Sequence, residues 1–256
     1  MHTTIPTRVG ASSWPVVALL VSSALVVKTI NVTSFHIADR FYPAYLLLDP
    51  DNVYMRITIH HLAQMLFAFA WILAVSRLMQ WPLRTFGFNL NGWAFSLKWV
   101  LIFCALWFLV QFGVGYLLVR GGLSADPGYP FTLRNVAGWF GFEVLLSGTS
   151  EEIMYRGLIM TLMLRLWHQR FHSAQLLGWA AVVGATVVFM VDHINFSLQP
   201  LAVTYVNPLQ QVTVLIFGLF YGFLFLRTRS LVGPMLAHNL LNGVITVAGT
   251  LLYVLL

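Results

Sequence analysis

Long apolar runs alternate with short polar segments along almost the whole chain. Each run approaches or exceeds the roughly 20 residues that a helix needs to cross the hydrocarbon core of a bilayer. The fourth run is too long for one straight crossing, so a tilt, a kink or an interfacial end is expected there. The pattern predicts an all-α, polytopic transmembrane helix bundle of seven to eight spans. Seven of them are expected at residues 14–33, 57–76, 98–119, 136–164, 176–195, 209–226 and 231–256.

The segments between the runs are rich in proline, glycine and acidic residues. Residues 34–56 predict a loop with an interfacial piece, and the glycines and prolines of residues 120–130 predict another loop. The segment Ile194–Pro208 is expected to line a cavity or to pack on protein, because unpaired backbone groups are costly in lipid. We find no internal repeat and no interdomain linker. The sequence therefore predicts one integral membrane domain over residues 1–256, with a candidate catalytic region at about 135–250.

Composition excludes a soluble domain. Only 9% of the residues are charged and 59% are hydrophobic, whereas soluble domains carry about 25% charged residues. The net charge of +6 comes from basic residues scattered between the apolar runs, so no basic stripe suggests nucleic acid binding. Cys104 is the single cysteine, which excludes an internal disulfide.

The basic residues between the runs predict the orientation, since cytoplasmic loops carry an excess of Lys and Arg. With the N-terminus inside, eight basic residues fall in inner segments and four in outer loops. We therefore predict a cytoplasmic N-terminus and, in a prokaryote, insertion in the cell membrane. The first run is expected to be a retained span, because no clear small-residue cleavage site follows it. The inner set is Arg8, Arg77, Arg84, Lys98, Arg165, Arg170, Arg227 and Arg229, and the outer set is Arg40, Arg56, Arg120 and Arg134.

Ionisable groups inside a span are costly and indicate function. All three glutamates of the chain, Glu143, Glu151 and Glu152, lie in the fourth run together with Arg156. Glu152 and Arg156 are four residues apart, so they share a helix face and can pair. Glu151 is rotated by about 100° from that face. One carboxylate is therefore expected to be neutralised, and the other to be free for chemistry.

Two further runs place polar groups at a similar membrane depth. His193 lies near the end of one apolar run, and His238 and Asn242 are four residues apart on another. Other polar positions are interpreted as structural. Lys28 is expected to reach towards the interface, and Asp192 either to orient His193 or to border a cavity. Four further histidines, at positions 60, 61, 168 and 172, are expected to be interfacial.

Such a set can hydrolyse a peptide bond without a covalent intermediate, with Glu151 as the base for water. Three alternatives stay open. Glu151, His193 and His238 could ligate zinc with one open position, although the sequence has no His-Glu-x-x-His. Gly148-Thr-Ser150 superficially fits a serine protease of the rhomboid type. Intramembrane acids and histidines also build proton relays in transporters, so a non-enzymatic transporter, immunity factor or chaperone is a further alternative.

Three motifs occur in order on successive apolar runs: Glu-Glu-x-x-x-Arg from Glu151, Phe-x-x-x-His ending at His193, and His-x-x-x-Asn from His238. Together they resemble the CPBP family, which comprises the CAAX prenyl endopeptidases and the bacteriocin-processing and self-immunity membrane proteins also called Abi. The resemblance covers roughly residues 135–250. Asp192, an acid directly before the motif histidine, departs from the family's pattern.

The resemblance implies a role for each motif residue. Glu151 resembles the water-activating glutamate, assisted by His193. His238 and Asn242 resemble the pair that stabilises the oxyanion, and Glu152 and Arg156 resemble the supporting pair. It further implies an intramembrane glutamic-type endopeptidase that needs no cofactor, with zinc as the alternative. Its expected substrate is a membrane-embedded or lipidated protein or peptide in the bilayer.

Overall fold

The computed structural model describes residues 14–256, and Arg8 of the charge count lies outside them. Six of the described helices, α1, α3, α4, α8, α9 and α10, are long and apolar enough to cross a membrane. This confirms the predicted all-α polytopic bundle. The α-helices are α1 (Trp14–Arg40), α2 (Tyr42–Tyr45), α3 (Met55–Met79), α4 (Trp93–Arg120), α5 (Leu133–Phe142), α6 (Gly148–Glu152), α7 (Thr161–Leu166), α8 (Ala174–Asp192), α9 (Pro208–Thr228) and α10 (Val232–Leu255).

The fourth predicted span is a continuous but irregular helix, which we call the motif helix (residues 133–166). It consists of α5, α6 and α7 joined by two π-helical segments, Glu143–Ser147 and Ile153–Met160. Wider π turns often occur at functional sites. The irregularity expected from the length of this run is therefore present, and it lies on both sides of the glutamate pair.

The motif helix forms the centre of the bundle. It packs against α3, α8 and α10, and every residue of its second π segment is buried. At Gly148 it approaches α10 so closely that a methyl group there would lie 2.5 Å from the Cβ of His238. A side chain at this position would push the two helices apart.

Residues 34–56 correct the prediction of a long loop. Helix α1 continues to Arg40 and buries Ser34 and Ala38 in its last two turns. The short helix α2 follows, and then the buried carboxylate of Asp49 accepts hydrogen bonds from the backbone N–H groups of residues 53, 54 and 55. These bonds satisfy donors at the start of α3 that have no partner within the helix.

A second acidic residue of this segment holds the start of the motif helix. Asp51 accepts hydrogen bonds from the side chains of Asn135 and Arg134, each 2.9 Å long. The Asn135 hydrogen bond, followed by the hydrogen bond and charge of Arg134, lowers the pKa of Asp51 below its usual value. The loop before α3 is therefore tied to the beginning of α5.

The segment Ile194–Pro208 forms an antiparallel hairpin of β1 (Asn195–Leu198) and β2 (Leu201–Tyr205). The expectation that it lines a cavity or packs on protein is correct for Asn195 and Tyr205, which border a cavity. It is wrong for Leu201, which is 80% exposed. Pairing between the strands satisfies their backbone groups, so the hairpin does not need a protein cover over its whole length.

The predicted topology can be tested with cysteines in two exposed loops, in a Cys104→Ala background. Ser124→Cys lies between α4 and the motif helix, and Gln169→Cys lies between the motif helix and α8. We expect a membrane-impermeant maleimide to label Ser124→Cys on intact cells and Gln169→Cys only after permeabilisation. The opposite labelling pattern would show that the N-terminus is outside.

Candidate active site

A fully buried ion pair occupies the middle of the motif helix. Arg156 Nη1 lies 2.9 Å from Glu152 Oε1, and neither side chain is exposed. Arg156 Nη2 also donates to the carbonyl oxygen of Gly218 in α9 at 2.9 Å. The guanidinium lies over the rings of Phe189 and Tyr221, 5.3 Å from each centroid, where the charge is further stabilised. The pairing predicted from the four-residue spacing is formed.

Glu152 has a third partner, His238 of α10. The Nδ1 atom of His238 lies 2.8 Å from Glu152 Oε1. A carboxylate that is paired with an arginine is an acceptor, so Nδ1 carries the proton. Neutral His238 therefore presents an Nε2 lone pair.

Glu151 is only partly buried, with 15% of its side-chain surface exposed, and it has no direct partner of this kind among the described residues. Its Oε2 atom has no hydrogen bond to any group in residues 14–256. The nearest imidazole nitrogens are Nε2 of His238, at 3.8 Å from Oε2, and Nε2 of His61, at 4.0 Å from Oε1. Both distances are too long for direct hydrogen bonds, so a water molecule can bridge each pair of atoms.

His193 caps the C-terminus of α8. Its Nδ1 atom lies 2.9 Å from the carbonyl oxygen of Phe189, which can only accept, so Nδ1 is the protonated nitrogen. Phe189 also packs edge-on against the His193 ring, with centroids 4.7 Å apart. This leaves the Nε2 lone pair of His193 as an acceptor for a water molecule.

The amide of Asn242 already has two acceptors. Its Nδ2 atom donates to Glu143 Oε2 at 2.9 Å and to Ser147 Oγ at 3.0 Å. Both acceptors belong to the first π segment of the motif helix. Asn242 can bind another oxygen only by exchanging one of these bonds.

One cavity of about 350 Å³ brings the predicted residues together. Glu151, His193, His238 and Asn242 all line it, although they come from three different helices. Glu152 and Arg156 lie behind it, where they hold His238 and α9. The structure thus places the four proposed catalytic residues around one space that is large enough for water and a peptide group.

His61 corrects the sequence interpretation. We expected it and His60 to be interfacial, but both are buried in α3, and His61 lines the same cavity as Glu151. Hydropathy alone does not reveal that this part of α3 faces the motif helix. Gln64, four residues after His60 and also buried, was the available signal that this face is polar.

Lys28 also differs from the prediction, because it does not reach towards the interface. Its Nζ atom lies 3.2 Å from Asp192 Oδ1 and donates to the Asp192 carbonyl oxygen at 2.6 Å. Asn31 and Tyr155 donate to Asp192 Oδ2. Asp192 thus borders a cavity and binds side chains of α1 and the motif helix. Its carboxylate makes no hydrogen bond to His193 among the described contacts.

Ser150 is not placed as a nucleophile. It is fully buried, and its hydroxyl donates to the Ser147 carbonyl oxygen at 2.9 Å. Its oxygen lies 2.6 Å from Nδ1 of His61. The only hydroxyl proton is therefore directed away from the imidazole that would have to remove it.

The fold and the cavity define a multi-pass membrane protein with a buried cluster of ionisable side chains. Residues 133–244 match the family model described as Rce1-like, type II CAAX prenyl endopeptidase Rce1-like. This match confirms the resemblance to the CPBP family and identifies an Rce1-like domain in just under half of the chain. A comparison with curated proteins and one with solved structures each gave no match. The matched segment is thus similar to CAAX-type intramembrane proteases, and the six long apolar helices are those of an integral, multi-pass membrane protein.

Removing one member of the central ion pair should destabilise the bundle. Glu152→Gln leaves Arg156 buried without a countercharge, and such losses cost about 3–5 kcal/mol. We expect a clearly lower midpoint of thermal unfolding in detergent and a lower yield. In the matched double variant Glu152→Gln/Arg156→Gln, no charge is left unpaired, so much of the stability should return. A wild-type unfolding midpoint for Glu152→Gln alone would contradict this role.

Proposed function

We propose that the protein is an intramembrane endopeptidase in which Glu151 activates a water molecule for direct attack on a peptide bond. The observation that carries the proposal is the difference between two adjacent carboxylates. Glu152 binds Arg156 and His238, whereas Glu151 Oε2 has no hydrogen bond among the described residues and faces the cavity. A partly buried carboxylate without a partner is a suitable general base.

The reaction needs no group beyond these side chains and water. Glu151 takes a proton from water while the oxygen attacks the carbonyl carbon, and the Nε2 lone pair of His193 accepts the second hydrogen of that water. The tetrahedral intermediate then collapses. Glu151 returns its proton to the leaving amine, so that one carboxylic acid and one amine are released.

His238 and Asn242 are the proposed donors to the oxyanion. Neutral His238 presents an Nε2 lone pair, so it can donate from Nε2 only in its protonated form. In that form His238 would donate from Nδ1 to Glu152 Oε1, 2.8 Å away, and from Nε2 to the oxyanion. Asn242 would release Glu143 or Ser147 to bind the oxyanion. Donors of this kind typically contribute a factor of about 100 or more to turnover.

The family description suggests the substrate class, which we propose is a peptide carrying a prenylated cysteine near its C-terminus. A lipid chain would hold such a peptide at the membrane beside the cavity. A farnesylated peptide that ends in a CAAX sequence is the direct probe. Cleavage after the modified cysteine, detected by mass spectrometry, supports this class. Cleavage only of unmodified peptides would contradict it.

Glu151→Gln tests the function. It keeps the shape of the side chain and removes the base, so we expect turnover of the farnesylated peptide to fall by at least about a hundredfold, within the range for general-base catalysis. The unfolding midpoint should stay close to that of the wild type. Asp39→Asn, which alters an exposed acid at the end of α1, is the control and should remain active. Near-normal turnover by Glu151→Gln would exclude the mechanism.

Metal removal separates the glutamate mechanism from the zinc alternative. A zinc ion would require Glu151, His193 and His238 each to approach one point to about 2 Å. We propose instead that water alone occupies the space, so purified protein treated with a chelator should keep its activity. Stoichiometric zinc by elemental analysis, with activity that is lost on chelation and returns on addition of zinc, would establish the metalloprotease mechanism.

A further inference from the structure

His61 is a third imidazole beside Glu151, and it lies outside the family-matched segment. It belongs to α3 and is buried between the rings of Phe142 and His60, whose centroids lie 4.9 and 5.0 Å away. It lines the cavity that contains Glu151 and His238. None of the three motifs includes it.

The hydrogen bonds of Ser150 determine which nitrogen of His61 carries the proton. Ser150 has one hydroxyl proton, which it donates to the carbonyl oxygen of Ser147. Its oxygen can then only accept from Nδ1 of His61, which is 2.6 Å away. Neutral His61 is therefore protonated at Nδ1, and its Nε2 atom presents a lone pair.

That lone pair faces one particular oxygen of Glu151. Nε2 of His61 lies 4.0 Å from Oε1, whereas the other oxygen, Oε2, lies on the side of His238. A water about 2.8 Å from both atoms fits across this gap. It would donate one hydrogen to Nε2 and the other to Oε1, which satisfies two acceptors that could not bind each other directly.

We propose that His61 is the positioning residue for Glu151 and acts through this bridging water. The bridge fixes the carboxylate by Oε1, so that Oε2 faces the space where the hydrolytic water and the peptide carbonyl meet. Ser150 supports the arrangement by holding the required tautomer. The proposal rests on the role of Glu151 proposed above, and it brings α3 into the catalytic machinery.

Two substitutions separate positioning from packing. His61→Phe keeps an aromatic ring between Phe142 and His60 but removes both nitrogens, and we expect kcat to fall about tenfold or more with KM and the unfolding midpoint nearly unchanged. His61→Gln can present a carbonyl oxygen near the place of Nε2, so it should recover part of kcat. The adjacent His60→Phe is the control. His60 is about as deeply buried and stacks on Phe35, and its Nδ1 atom has no hydrogen-bond partner in the part of the chain that the structure describes, so this variant should keep wild-type kcat.

The outcomes distinguish this inference from the proposed function. An active Glu151→Gln overturns the function itself, whereas an inactive Glu151→Gln beside a fully active His61→Phe overturns only the role of His61. Nitrogen-15 NMR of histidine-labelled protein tests the tautomer without any activity, with the His61 signals assigned by their loss in His61→Phe. Protonated Nδ1 with bare Nε2 is expected, and a neutral ring protonated at Nε2 would overturn the proposal.

Discussion

The buried ion pair between Glu152 and Arg156 is the interaction on which the rest of the site depends. Charges within the hydrocarbon are costly unless they are paired and hydrogen-bonded. Here the pair also binds Gly218 of α9 and His238 of α10, so the groups that neutralise each other also join three helices. Because Glu152 pairs with Arg156 and His238, its neighbour Glu151 can stay partly buried with no charged partner among residues 14–256.

The irregular backbone of the motif helix also helps to give Glu151 and Glu152 their different surroundings. π-Helical segments precede and follow α6, which carries both glutamates. The first segment supplies Glu143 and Ser147, the acceptors for Asn242, and the second contains Arg156. The close contact at Gly148 brings α10 against this region, so His238 reaches Glu152 with one ring nitrogen and faces Glu151 with the other. Local helix geometry and helix packing thus fix the site together.

Much of this arrangement follows from periodicity and spacing. The apolar runs predicted the long helices, and the four-residue spacing predicted the Glu152–Arg156 pair, because both depend on local geometry. The position of His61 depends on which face of α3 meets the motif helix, and that of Lys28 depends on which face of α1 meets α8. Both helices are apolar around most of their circumference, so periodicity could not indicate the buried face. The hairpin after His193 was also unpredicted, because its short strands are stable only as a pair.

The central claim is that water activated by Glu151 attacks the peptide bond directly, with no acyl-enzyme. Turnover of the farnesylated CAAX peptide in the presence of hydroxylamine, followed by mass spectrometry of the product, tests this claim most directly. A nucleophilic serine or other side chain would form an ester or related intermediate that hydroxylamine intercepts as a hydroxamate. Direct attack by water predicts only the free carboxylic acid at every hydroxylamine concentration. A hydroxamate product that grows with hydroxylamine concentration would contradict the account.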